Sequence, residues 1–326
     1  MTSLYGNLQA RQAFSAALDG GSLHHAWIFA GPEGVGKGQF AMLVARRLLA
    51  GAEQPDDFSI PPGDRTQQLI DAGSHPDLKV LTRLPRDEKK PEQGLARSIR
   101  VDQVRELDHF LGIKPTYSDR RVVVINTADD LERPGASNAL LKNLEEPPAG
   151  TVFLLVSHAP GRLLPTIRSR CRMLRFEALD DAEMRAALTD AGVERGEVDE
   201  LIRVGAGSPS RALAMAGLDI SGLDKALVAL AQGDPTNAVR GELARALSLK
   251  AAQERYEAFL DRAPSFIATE ARTRSGEALR TALDAHEAAR NLAASALGLS
   301  LDAQGTVFEM GGIVARLAPG AVVPGR

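Results

Sequence analysis

The clearest chemistry in the chain lies in one short run, Gly31-Pro-Glu-Gly-Val-Gly36-Lys37-Gly38. Its glycines allow φ > 0 and let successive backbone N–H groups turn inward around a phosphate. A helix starting behind the run adds partial positive charge, and Lys37 is spaced to reach terminal phosphate oxygens. The spacing fits G-x-x-x-x-G-K and then departs from it. In hydrolysing loops of this kind the next residue is Ser or Thr, whose hydroxyl ligates magnesium. Gly38 has no side chain to offer. The second magnesium position is an acid that ends a later apolar strand. Here that strand, Val122-Val-Val-Ile125, runs into Asn126-Thr127. Two positions that serve one ion have both lost their chemistry, which points to a loop that no longer hydrolyses. Asp129 and Asp130, in the loop beyond, are the residues that could still rescue a metal.

A second constellation is cationic. Residues 161–175 hold Arg162, Arg168, Arg170, Arg172 and Arg175 with no acid. The segment follows the fourth apolar strand, so it is expected at the carboxyl edge of the sheet, where ligands bind in such folds. A guanidinium is always charged and forks onto two phosphate oxygens. A solvated basic loop and a DNA-backbone contact are the alternatives. Glu145 and Glu146 sit in the last turn of a helix expected over 137–146, where the macrodipole disfavours acids. Pro147-Pro148 then stops that helix. A subunit contact is the preferred reason, and a buried ion pair the other. Ser157 closes its strand with a hydroxyl. Cys171 reads as a small buried hydrophobe, with no His and Asp/Asn pattern to activate it. His24, His25, His75 and His158 lack the dense spacing of a metal site.

The elements that must hold these groups alternate. Short apolar runs at 26–30, 78–81, 122–126, 152–157 and 173–176 read as strands, with helices expected near 38–50, 100–111 and 137–146. That alternation predicts a parallel sheet covered on both faces. Residues 51–75, with Pro55, Pro61, Pro62 and Gly63, read as a surface insertion, and 83–99 as an exposed charged loop. Asp180 with Glu183 forms a capping-box pattern. Ser208-Pro209 is a helix start. Beyond 219 only helical patterns appear, notably 236–250 and 277–298. The expected organisation is an α/β domain over 1–176, a small helical unit over 177–218 and a helical domain over 219–326.

Composition bounds the rest. With 326 residues, 44% hydrophobic and 25% charged, the chain is globular and not disordered. The net charge of −3 disfavours a free-standing basic nucleic-acid binder. The single cysteine, Cys171, excludes an internal disulfide and a multi-cysteine zinc site. No apolar run approaches the ~18–20 residues that cross a bilayer, and the first residues lack the order of a signal peptide. A cytoplasmic protein without a membrane partner is expected.

Four segments together resemble the bacterial clamp-loader family of DNA polymerase III, within the AAA+ class. They are His24-His25-Ala26-Trp27, Ser74-His75-Pro76-Asp77, the run from Ser137 to Pro148 (SNALLKNLEEPP), and Leu164 to Cys171 (LPTIRSRC). The resemblance covers about 3–215 and is closer to the delta-prime branch than to the ATP-hydrolysing gamma/tau branch. It implies an AAA+ module, a helical lid and a C-terminal helical collar. It implies a hetero-pentameric ring with gamma/tau and delta subunits that loads a sliding clamp on primed DNA. It implies that Arg170 acts in trans as an arginine finger in a neighbour's ATP site, that Arg211 occupies the lid's nucleotide-sensing position, where holding the lid against the first domain is the equal alternative, and that Ser157 occupies a polar sensor position. Gly31, Gly34, Gly36 and Lys37 would then be a vestigial cradle, open to weak ATP or ADP binding without hydrolysis and requiring no cofactor. Members of this branch often carry a four-cysteine zinc module after the first loop helix. Residues 51–75 contain no cysteine, so no zinc is expected. A working gamma/tau-like ATPase and a stand-alone DNA-binding AAA+ protein are the competing readings.

Overall fold

Strand β1 (Ala26–Ala30) is buried along its whole length, and its alternation divides the core of the first unit in two. Ala26, Ile28 and Ala30 face one way, into a cluster with Leu81, Val123, Ile125, Phe153 and Leu155. Trp27 and Phe29 face the other way, into aromatic rings. Phe14 lies 5.0 Å from Trp27 and 6.0 Å from Phe29, and Phe40 lies 5.0 Å from Phe29 and 5.5 Å from Phe176. With Phe58 beside Phe14 and Phe40, five of the ten phenylalanines and the sole tryptophan meet on one face of the sheet. An aromatic-poor chain has concentrated its largest apolar side chains where they bury most area.

This computed structural model describes residues 4–20, 23–51, 58, 63–87, 89–90, 94–299 and 301–319. The first unit runs α1 (Leu8–Asp19), β1, α2 (Lys37–Ala50), α3 (Arg65–Asp71), β2 (Leu78–Leu81), α4 (Val101–Gly112), β3 (Arg121–Ile125), α5 (Gly135–Glu145), β4 (Thr151–Ser157), α6 (Pro165–Arg168), β5 (Arg172–Arg175), α7 (Asp181–Asp190), α8 (Arg195–Gly205) and α9 (Pro209–Leu213). The strands form one sheet in the order β2-β3-β4-β1-β5. Every pairing is parallel, with Trp27 opposite both Leu154 and Arg172. Because all strands point one way, the sheet has a distinct carboxyl edge and amino edge. The edge strand β5 exposes Arg172 and Arg175, charges that discourage further strand pairing.

The chain divides into two compact units, Met1–Leu213 and Ala214–Arg326. Helices α7, α8 and α9 belong to the first. The Asp180 capping box is formed: Asp180 accepts from the Glu183 N–H at 2.8 Å, and Glu183 accepts from the Asp180 N–H at 3.1 Å. The second unit is helical, with α10 (Ile220–Gln232), α11 (Ala238–Leu247), α12 (Gln253–Ala271), α13 (Gly276–Leu299) and α14 (Ala303–Ala315). Its core holds Leu223, Leu227, Leu230, Phe259, Ile267, Met310 and Val314. Among the described residues, no helix is long and apolar enough to cross a membrane.

The strands lie within one residue of the expected positions, but the helices α1, α3 and the four-residue α6 are not expected from the sequence. Helix α1 buries only Ala10 and Phe14, so its apolar stripe is too thin to register as a period. Helix α3 lies inside the stretch read as an irregular insertion. The Asp64 carboxylate caps it by accepting from the Gln67 N–H at 3.2 Å, and Ile70 is its one buried residue. Residues 52–57 and 59–62 of that stretch lie outside the described residues.

The Ser74-His75-Pro76-Asp77 segment has a structural task. Asp77 is 1% exposed, and its carboxylate accepts from the backbone N–H groups of Thr116, Tyr117 and Ser118 at 2.7, 2.7 and 3.0 Å. It thereby fixes the turn leading into β3. Removing a buried acceptor from several donors costs about 1–3 kcal/mol per orphaned group at the upper end. Asp77→Ala is therefore expected to lower the unfolding free energy by roughly 2–4 kcal/mol, read as a fall in the urea midpoint. An unchanged midpoint would remove this role.

Candidate phosphate loop and the arginine on the opposite edge

The loop between β1 and α2 leaves the carboxyl edge of the sheet, as the strand–loop–helix order requires. Two of its glycines are fixed by close approach. A Cβ on Gly31 would lie 2.0 Å from the Phe176 carbonyl oxygen, and one on Gly34 would lie 2.1 Å from Ser208 Oγ. Gly34 also holds φ at +77°, where a side chain is strained. Lys37 is 2% exposed and turns back on its own loop. Its Nζ donates to the Gly31 carbonyl at 2.7 Å and to the Pro32 carbonyl. Burial pulls its pKa down to about 8, with Glu33 and Asp129 opposing the shift. The ammonium that a triphosphate would need is thus engaged by carbonyls of the cradle itself.

Neither magnesium position presents a hydroxyl or a carboxylate. The missing side chain at Gly38 leaves room for Asn126: a Cβ there would lie 3.3 Å from Asn126 Oδ1. Asp129 does not stand in as a ligand. Its carboxylate accepts from Ser157 Oγ at 2.9 Å, from the His158 N–H at 2.5 Å and from the Ala159 N–H at 3.3 Å. Asp130 pairs with Arg83 at 3.0 Å. Among the described residues, no group of three or more His, Cys, Asp or Glu is arranged to hold a metal. These donors do not fit a magnesium–triphosphate. Ser157 is fully buried and donates to Asp129 rather than to a histidine, so no nucleophile relay forms. His158 Nε2 lies 3.3 Å from Thr127 Oγ1, and burial together with Lys37 lowers its pKa from 6.5.

Helix α9 closes the cradle from the side. The Ser210 N–H donates to the Gly34 carbonyl at 3.4 Å, and the Arg211 N–H donates to Ser208 Oγ at 3.2 Å. Arg211 is therefore one residue from the loop contact, half-buried on a short helix seated against the loop. A cavity of about 350 Å³ remains beside it, lined by Leu4, Tyr5, Val35, Leu179, Pro209 and Leu213.

Arg170 lies elsewhere than its sequence position suggested. Residues 158–171 leave the carboxyl edge after β4 and return across the sheet before β5 begins. Arg172 is opposite Trp27 in the parallel register, near the start of β1, so Arg170, two residues earlier, stands at the amino edge. The expectation of one shared ligand edge is thus corrected for Arg170 and Arg172, while Arg162, just after β4, and Arg175, opposite Ala30, do lie at the carboxyl edge: following a strand in sequence fixes where a crossover starts, not where it ends. Arg170 Nη2 pairs with Glu145 Oε1 at 2.6 Å, and Nη1 donates to the Thr166 carbonyl at 3.0 Å. This pairing answers the acid at the end of α5 within the chain, by an ion pair half open to solvent rather than a buried one. Its one signal in the sequence was an acid at the wrong end of a helix. Beside it, His25 Nε2 lies 3.1 Å from the Leu144 carbonyl. The His24-His25, Leu144-Glu145 and Arg170-Cys171 segments thus meet at one edge. Burial pushes the Cys171 thiol up to about 12, so it is no nucleophile at neutral pH.

The buried lysine leaves a measurable trace. A lysine whose folded pKa is lowered binds fewer protons when folded than when unfolded between about 8 and its ordinary 10.5. Stability must rise with pH across that window. Urea unfolding at pH 8 and pH 10 is expected to show a smaller gain for Lys37→Met than for the native chain. Equal gains would mean that Lys37 is not held as described.

Comparison with known proteins places this geometry in a family. The family described as DNA polymerase III, delta subunit, matches residues 6–180, more than half of the chain. The DNA polymerase III subunit delta' of Pseudomonas aeruginosa is 38% identical over 212 residues, covering 64% of this chain and 60% of that protein. That of Escherichia coli is 36% identical over 203 residues, covering 61% and 57%. The gamma/tau subunit of Mycobacterium bovis is 32% identical over 207 residues, covering 62% and 34%. The matched stretch thus spans at most 60% of these relatives' length. A solved gamma-subunit-related protein of Thermotoga maritima aligns over 94% of this chain and 98% of its own at 19% identity, with a TM-score of 0.47. By the extent of the family match, this chain is a member of the DNA polymerase III delta-subunit family.

Proposed function

We propose that the chain serves as a delta-prime-type clamp-loader subunit that hydrolyses no ATP of its own and lends Arg170 to a neighbour. One observation carries this reading: Arg170 stands on the edge of the sheet opposite its own phosphate loop. Five strand residues separate the two edges, roughly 16 Å at about 3.3 Å per residue. No side chain of this chain brings that guanidinium to Lys37. A head-to-tail ring that sets the amino edge of one subunit against the carboxyl edge of the next brings the two sets together. The arginine then faces a neighbouring triphosphate, where its planar fork can take two oxygens.

The neighbour in this reading is a gamma/tau-like ATPase, with a delta subunit completing a five-membered ring that loads a sliding clamp on primed DNA. The lack of a hydroxyl at Gly38 and of a carboxylate at Asn126 supports the absence of turnover at Gly31, Gly34, Gly36 and Lys37, and no zinc or other cofactor enters the reading. Arg211 then holds the lid against the loop rather than reporting on nucleotide. The gamma/tau reading draws on the 32% identity to that branch, but needs metal ligands that Gly38 and Asn126 do not supply.

The test is ATP turnover, first by the isolated chain and then by the complex reconstituted with its gamma/tau and delta partners. The isolated chain is expected at background; steady magnesium-dependent turnover would instead favour the gamma/tau reading. Arg170→Ala is expected to leave assembly intact on gel filtration while removing DNA-stimulated turnover at the adjoining site. A transferred arginine of this kind is worth roughly 10³–10⁵ in rate. Full turnover by the Arg170→Ala complex overturns the assignment.

A further inference from the structure

We infer that Glu145 is a positioning residue for Arg170, holding the guanidinium in the attitude from which it meets an oxyanion; the inference rests on the arginine reading above. The fork is pinned at two different nitrogens by two different elements. Glu145 Oε1, at the end of α5, takes Nη2 at 2.6 Å, and the Thr166 carbonyl in α6 takes Nη1 at 3.0 Å. A guanidinium carries five N–H groups, so donors remain for a phosphate after both anchors are made. The side chain is 34% exposed and its partner 49%, which leaves the fork reachable from solvent.

Both anchors are themselves rigid. Leu144, before the acid, is 1% exposed, and its carbonyl lies 3.1 Å from His25 Nε2 at the head of β1. Ile167, after Thr166, is also 1% exposed, and its carbonyl accepts from the Arg170 N–H at 3.1 Å. An arginine loses considerable rotamer freedom when it is fixed. Here much of that loss is taken during folding, before any ligand arrives. The acid has no other evident use in its place. It sits in the last turn of α5, where the helix dipole repels it, and Arg170 is its ion-pair partner. A merely structural pair could have been built with the signs reversed, favourable to that dipole. The arrangement found orients a cation outward at the edge proposed to meet the neighbour.

The experiment compares reconstituted complexes carrying Glu145→Ala, Glu145→Gln, Arg170→Ala and the Glu145→Ala/Arg170→Ala pair, measuring kcat and KM for ATP. Glu145→Ala is expected to lower kcat on the order of 10-fold with KM unchanged, as a misplaced but still present group does. Glu145→Gln retains an acceptor for Nη2 and is expected to restore most of the rate. The double variant is expected to be no slower than Arg170→Ala alone, because both changes remove one function. If Glu145→Ala fails to enter the complex, Glu145→Ser replaces it with the same expectation. Native kcat in the Glu145→Ala complex, or losses that multiply in the double variant, overturns the positioning role while leaving the arginine reading in place. Native turnover by Arg170→Ala removes both.

Discussion

The parallel direction of all five strands is the constraint from which the rest follows. It gives the sheet two chemically different edges. Loops that follow strands gather at one, and residues that precede strands gather at the other. The phosphate loop follows β1 and belongs to the first edge. His25, Glu145 and Arg170 precede β1, β4 and β5 and belong to the second. A single chain therefore cannot complete a site from both sets, whereas a chain placed against a like-folded neighbour can. The division of labour proposed for this protein is a property of strand direction before it is a property of any side chain.

Several polar groups around the phosphate loop are paired within the chain. Lys37 turns onto the Gly31 and Pro32 carbonyls, Asp129 gathers Ser157, His158 and Ala159, and Asp130 takes Arg83. Buried polar groups cost free energy unless they are paired, so such pairing is what a stable fold requires. The loop keeps its glycines for a different reason. The Phe176 carbonyl and Ser208 stand where side chains at Gly31 and Gly34 would go.

Much of the frame was legible in the sequence because its signals are local. Continuous apolar runs marked the strands, and capping residues marked α7 and α9. The contiguous Gly31–Lys37 motif marked the loop between β1 and α2. What was not legible depends on residues distant in sequence. That the 158–171 segment crosses to the amino edge is fixed by the pairing of β5 with β1. Glu145 and Arg170 are brought together only by that crossing. Asp77 looked like part of a motif, yet its partners are backbone N–H groups about forty positions away, which no spacing rule reveals. Helices α1 and α3 escaped notice because each buries only one or two side chains.

The contact between Gly38 and Asn126 has a further consequence. Restoring a hydroxyl at Gly38 would press its Cβ to 3.3 Å from the Asn126 carboxamide, and an acid placed at Asn126 alone would face a position with no hydroxyl to share an ion. The Asn126 carboxamide is exposed and can give way, but neither change alone supplies both ligands, and Lys37 and Asp129 already have partners within the chain. In the reading proposed above, a return to metal binding therefore takes paired substitutions rather than a single one.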